Sequence, residues 1–122
     1  MTAPLPHIQI FENVHEKVSS VSLKRDLATG KHVAVMRFQS LASLAHFLCS
    51  RRGSDKALHL IDTEGEIFIE PSIEMLYGGP EGEDLRSVEC KLEIDRDDLW
   101  ERFIRFIHRY AEANGLTYRD IA

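Results

Sequence analysis

Arg86-Ser87-Val88-Glu89-Cys90-Lys91-Leu92-Glu93-Ile94 alternates apolar and polar side chains through its second half without a break. A period of two gives a strand one dry face and one wet face. Val88, Cys90, Leu92 and Ile94 therefore face a core, and Glu89, Lys91 and Glu93 face water. Immediately downstream, from Asp97 to Asn114, the period changes. At about 100° per residue, Leu99, Trp100, Phe103, Ile104, Phe106, Ile107, Tyr110 and Ala111 fill one arc. Glu101, Arg102, Arg105, His108, Arg109 and Glu112 fill the opposite one. Asp95 is placed to cap this helix, with Asp98 three positions on, and Gly115 suits the position just past its end. A half-buried strand feeding an amphipathic helix marks an α+β fold, a sheet with a helix laid across it.

Upstream segments supply the rest of that sheet. Ile8 to Phe11 is short, β-prone and preceded by two prolines, which suits an edge strand. Val18 to Arg25 and His32 to Phe38 flank a turn holding Asp26 and Gly30 and read as a hairpin. Ala57 to Ile61 and Glu66 to Glu70 flank Asp62-Thr63-Glu64-Gly65, a tight turn with glycine where positive φ is needed. Ile73 to Tyr77 continues the meander after Pro71. Between the hairpins, Leu41, Leu44, Ala45 and Leu48 follow helical spacing behind Ser40, predicting a short middle helix that ends at Ser50-Arg51-Arg52-Gly53. The expectation is one domain over 1–122. It is an antiparallel sheet of about five to six strands, covered by a long C-terminal helix and a short middle one.

A chain of 122 residues carrying a net charge of −5 lacks the basic balance that nucleic acid selects. The charge is also uneven. No Lys or Arg lies between Lys56 and Arg86, whereas Asp62, Glu64, Glu66, Glu70, Glu74, Glu81, Glu83 and Asp84 do. Cys49 and Cys90 match no zinc or redox spacing, which fits a reducing compartment. The start, MTAPLPHIQI, has no signal-peptide pattern, and no apolar run approaches the roughly 20 residues needed to span a bilayer. Membrane contact is expected only through a partner.

Catalytic and metal patterns are absent from the sequence. His7, His15, His32, His46, His59 and His108 are scattered and form no ligand spacing. Cys49 near a helix end and Cys90 on a buried strand face read as small hydrophobes. The acidic turn Asp62–Glu66 lacks the further ligands of a calcium loop, and Gly78-Gly79-Pro80 lacks a phosphate-loop lysine. A metal- or small-ligand-binding regulator built on that acidic hairpin is the alternative reading. Arg102, Arg105 and Arg109, spaced by three and four, share one sector of the helix. They form either a solvated face held by pairs such as Asp98–Arg102 and Glu101–Arg105, or a docking stripe.

The run Trp100-Glu101-Arg102-Phe103-Ile104-Arg105-Phe106-Ile107-His108-Arg109-Tyr110, continuing to Asn114-Gly115-Leu116, resembles the terminal helix of the photosystem II Psb28 family. Ile8 to Phe11 is similar to that family's opening strand, and Leu60 to Ile67 to its central hairpin. The resemblance is weakest over Ser40–Lys56 and Ser72–Glu89, which points to a divergent paralogue. It implies a non-catalytic assembly factor without a cofactor, peripheral on the cytoplasmic or stromal side of the thylakoid. The implied partners are photosystem II reaction-centre core and inner antenna subunits. Candidate interface residues are Arg102, Arg105, Arg109, Glu64, Glu66 and Tyr77.

Overall fold

Two antiparallel four-stranded sheets, rather than one, share a single core in the computed structural model, which describes residues 5–10, 14–39 and 57–117. The strands are β1 (His7–Gln9), β2 (His15–Glu16), β3 (Ser20–Arg25), β4 (His32–Phe38), β5 (Leu58–Asp62), β6 (Gly65–Ile69), β7 (Ser72–Gly78) and β8 (Asp84–Ile94); helix α1 spans Asp97–Asn114. One sheet runs β2-β1-β5-β6 and the other β3-β4-β8-β7. The predicted middle helix falls in 40–56, outside the described residues.

The division into two sheets has a local cause at Glu70-Pro71. Proline has no amide hydrogen for a ladder and fixes φ, so a strand ends there. β6 stops at Ile69 and β7 starts at Ser72 in the other sheet, so the expected three-strand meander does not continue. β7 pairs with β8, and β8 takes the place beside β4. β5 pairs instead with β1. Consequently β1 is an interior strand. The edge beside it is β2, two residues that alternation is too short to reveal.

Side-chain facing follows the alternation closely. Val21, Ala34, Met36, Val88, Cys90 and Leu92 turn inward from one sheet, and Ile8, Leu58, Leu60 and Ile67 from the other. Phe103, Phe106, Ile107 and Tyr110 of α1 complete the core, while Leu99, Trp100, Ile104 and Leu116 pack at its margin. The Tyr110 hydroxyl reaches across to accept the Val18 amide at 3.1 Å, which satisfies a buried donor.

Both ends of α1 show how the chain is directed. Arg96, not Asp95, is the N-cap residue and makes no side-chain cap bond. The helix starts at Asp97, which leaves Asp95 one position too early to reach an open amide. The first-turn acids Asp97 and Asp98 still lie at the positive end of the helix dipole. At the other end Gly115 adopts φ 75°, and the Leu116 amide returns to the Ala111 carbonyl at 3.0 Å. That six-to-one bond closes a left-handed cap that a β-carbon would strain.

Candidate functional site

Alternation along β5 turns Leu58 and Leu60 inward and, by the same period, Asp62. A carboxylate in that row is costly without cationic partners. Its side chain is fully buried and closes the β5–β6 turn by accepting the Glu64 amide at 2.9 Å. Helix α1 packs against β5, and its three arginines converge on this turn.

Arg102 donates from both terminal nitrogens to Asp62, at 2.9 and 2.6 Å, and also to the Gly65 carbonyl at 3.2 Å. Arg105 forks onto Glu64 through Nε at 2.9 Å and Nη2 at 3.0 Å. Arg109 bridges the two carboxylates, donating to Asp62 at 3.1 Å and to Glu64. Side-chain exposure grades outward, from 16% at Arg102 to 36% at Arg109 and 49% at Arg105. Arg102 is therefore an internal clamp, whereas Arg105 and Arg109 keep one side toward solvent. The expected pair Asp98–Arg102 does not form, because Asp98 holds Arg96 at 3.1 Å.

These contacts set the protonation of both acids. Burial alone would raise the Asp62 carboxyl. The Arg102 guanidinium, the Glu64 amide and Arg109 outweigh it and hold the group below the usual carboxylate range. Hydrogen bonds from Arg105 and Arg109 hold Glu64 down at about 2. A carboxylate with a lowered folded-state pKa contributes stability above its unfolded value and loses it as pH falls toward the folded one. Thermal midpoints should therefore decline as pH falls from about 4.5 toward 2, the window set by Glu64. In the Glu64→Gln variant that part of the decline should be absent.

The remaining candidates lie apart from this lattice. Glu66 projects from β6 and bonds the Nδ1 of His59 on the neighbouring strand. Tyr77 is half-exposed on β7 of the other sheet, its hydroxyl 3.4 Å from the Met75 sulfur. Asp62, the centre of the lattice, is not among the interface candidates that the helix stripe and the hairpin tip suggest. Its signal was legible as a charge in the inward row with Leu58 and Leu60.

The acidic hairpin does not offer its carboxylates to a metal, since Asp62 and Glu64 are occupied by arginine. Among the described residues no group of three or more His, Cys, Asp or Glu side chains converges to hold an ion. Cys90 is fully buried, as its strand register predicts, and burial together with the Glu16 charge pushes its thiol up to about 12. Cys49 lies outside the described residues. Among the described residues no helix is long and apolar enough to cross a membrane.

The profile of the family described as Psb28 protein matches residues 8–118. The chain belongs to the Psb28 family. Among its relatives, the photosystem II reaction center Psb28 protein of Pyropia yezoensis is 31% identical, over 91% of this chain and 93% of its own. The protein of the same name from Crocosphaera subtropica is 33% identical, over 93% and 97%. That of Cyanidioschyzon merolae is 32% identical, over 92% and 95%. In this Psb28-family chain the Trp100–Leu116 run serves two purposes. Its aromatic arc closes the core, and its arginines anchor the β5–β6 hairpin.

Proposed function

We propose that this protein is a non-catalytic accessory factor of photosystem II that binds assembly or repair intermediates. Its partners are the reaction-centre core and inner antenna subunits, and it sits peripherally on the cytoplasmic or stromal side of the thylakoid. The observation that carries this reading is the family match over 8–118, together with relatives named for photosystem II that align along nearly their whole length.

Surface geometry supports a docking role. Among the described residues, β6 and β7 each end a sheet and pair on one side. An open edge accepts an extended segment of a partner by strand addition. Beside β6, Arg105 and Arg109 keep guanidinium surface toward solvent, where arginine suits carboxylates and carbonyls at an interface. Tyr77 adds an exposed aromatic group to the β7 edge.

The test is a native gel of solubilised thylakoid membranes carrying an epitope-tagged copy. The tag is expected to co-migrate with photosystem II subcomplexes and not with the mature dimer. A tag found only as free protein, under high light as well, would reject the docking role. In the same gel, an Arg105→Glu/Arg109→Glu variant should weaken co-migration. Undiminished co-migration would remove these arginines from the interface while leaving the role itself standing.

A further inference from the structure

The Arg105–Arg109 pair already holds a carboxylate, and the way it does so shows what else it can take. Glu64 accepts a fork from Nε and Nη2 of Arg105 and a further bond from Nη1 of Arg109. Its side chain is 32% exposed and lies between two guanidinium groups that are themselves partly exposed. Asp62, by contrast, is fully buried against Arg102. Ion pairs open to solvent are weak and exchangeable, whereas a buried pair is costly to break. The lattice thus has a fixed inner contact and an outer one that can be replaced.

The hairpin does not need the Glu64 carboxylate to keep its shape. Asp62 closes the turn by accepting the Glu64 amide at 2.9 Å, and Arg102 ties Asp62 and the Gly65 carbonyl to α1. Nη1 of Arg105 and Nη2 of Arg109 are not part of the bonds to Glu64, so an incoming carboxylate can gain a first hydrogen bond before Glu64 leaves. Two carboxylates cannot share the pair comfortably, because like charges repel. Glu101, one turn before Arg105, already offsets part of the surplus positive charge. The site therefore admits one carboxylate at a time. Glu64 is tethered beside it, at an effective concentration on the order of millimolar. A free acid competes poorly with such a neighbour, and a carboxylate presented by a docked protein competes well.

We propose that Glu64 is the internal occupant of a carboxylate-exchange site. The Arg105–Arg109 pair takes a carboxylate from an acidic segment of the protein partner, an occupant whose identity rests on the docking role above, and Glu64 gives way to it. Until then Glu64 keeps the pair closed to free acids.

The test follows the arginine side-chain NMR signals of the full chain during titration with succinate at pH 7, against sodium chloride of equal ionic strength. In Glu64→Gln, half-saturation at Arg105 and Arg109 is expected at about fivefold less succinate than in the unaltered chain, the factor for one like charge removed across a hydrated contact. Glu64→Asp keeps the charge on a shorter arm and should fall between the two. Glu66→Gln removes the same charge where it bonds His59 instead, and should change nothing. The proposal is overturned by equal half-saturation in Glu64→Gln and the unaltered chain, by an equal gain in Glu66→Gln, or by no saturation at these arginines in either protein. In the native gel, Glu64→Gln should strengthen co-migration with photosystem II subcomplexes, and weakened co-migration would overturn the exchange. A tag that runs free while the succinate result holds would reject photosystem II as the partner and leave the exchange site standing.

Discussion

Asp62→Ala should destabilise the protein by about 3 kcal/mol, because removing one partner of a buried ion pair leaves the other without compensation. In a chain of this size that lowers the melting midpoint by roughly 12 °C. The loss has several parts. Among the described residues, Arg102, mostly buried, would keep the Gly65 carbonyl and a distant Glu64 oxygen at 3.9 Å. The Glu64 amide would lose its acceptor in the turn. Asp62→Asn keeps the shape and one acceptor oxygen but not the charge, so its cost should be smaller, about 2 kcal/mol. The decisive comparison is Asp62→Ala combined with Arg102→Leu. Replacing both partners with apolar groups removes the uncompensated charge, so the pair should recover part of the single-variant loss. Calorimetry on the four proteins checks this. A loss under 1 kcal/mol for Asp62→Ala would show that the lattice is a surface feature of little energetic weight.

That lattice marks where the sequence was legible and where it was not. Periodicity placed Arg102, Arg105 and Arg109 in one sector of α1, and there they are. It could not name what faces them, because ion-pair partners across a fold are separated by 40 or more residues, as Arg102 is from Asp62. Helical spacing favours near neighbours such as Asp98, yet Asp98 had a closer cation in Arg96. The inward position of Asp62 was the usable sign. A charge in a row of leucines requires a partner, and the arginines of the helix were the available supply.

The same limit explains the sheets. Alternation identified the strands His32–Phe38 and Arg86–Ile94 closely and put Cys90 in the core. A period of two states which face of a strand is buried. It is silent about which strand lies alongside, since every antiparallel neighbour presents the same alternation. Five or six strands in one sheet and eight strands in two sheets therefore leave nearly the same pattern in the sequence. Pro71 was the local clue to the break, and β2 was too short to leave any. Family resemblance came from a different kind of signal. The Trp100–Leu116 run is distinctive because core packing and the arginine lattice constrain its two arcs at once.

Phe103→Ala should cost about 4 kcal/mol, the usual price of emptying a buried aromatic site. Phe103 is fully buried on the inner arc of α1, with Trp100 stacked beside it at 5.6 Å between ring centroids. The helix that carries it packs on β5 of one sheet and β8 of the other, and Phe103 shares one core cluster with both, so the site cannot collapse by moving one element alone. Residual cavity therefore adds to the lost transfer energy. The matched control is His108→Ala, exposed on the opposite arc, which should change stability by no more than about 0.5 kcal/mol. In urea, the Phe103→Ala midpoint should fall steeply while the slope of the transition stays unchanged, as for a folded state that is weakened but still cooperative. An altered slope would mean that the two sheets no longer unfold together, and that Phe103 is what couples them. A midpoint shift no larger than that of His108→Ala would contradict the placement of α1 across both sheets, on which the orientation of the whole arginine lattice depends.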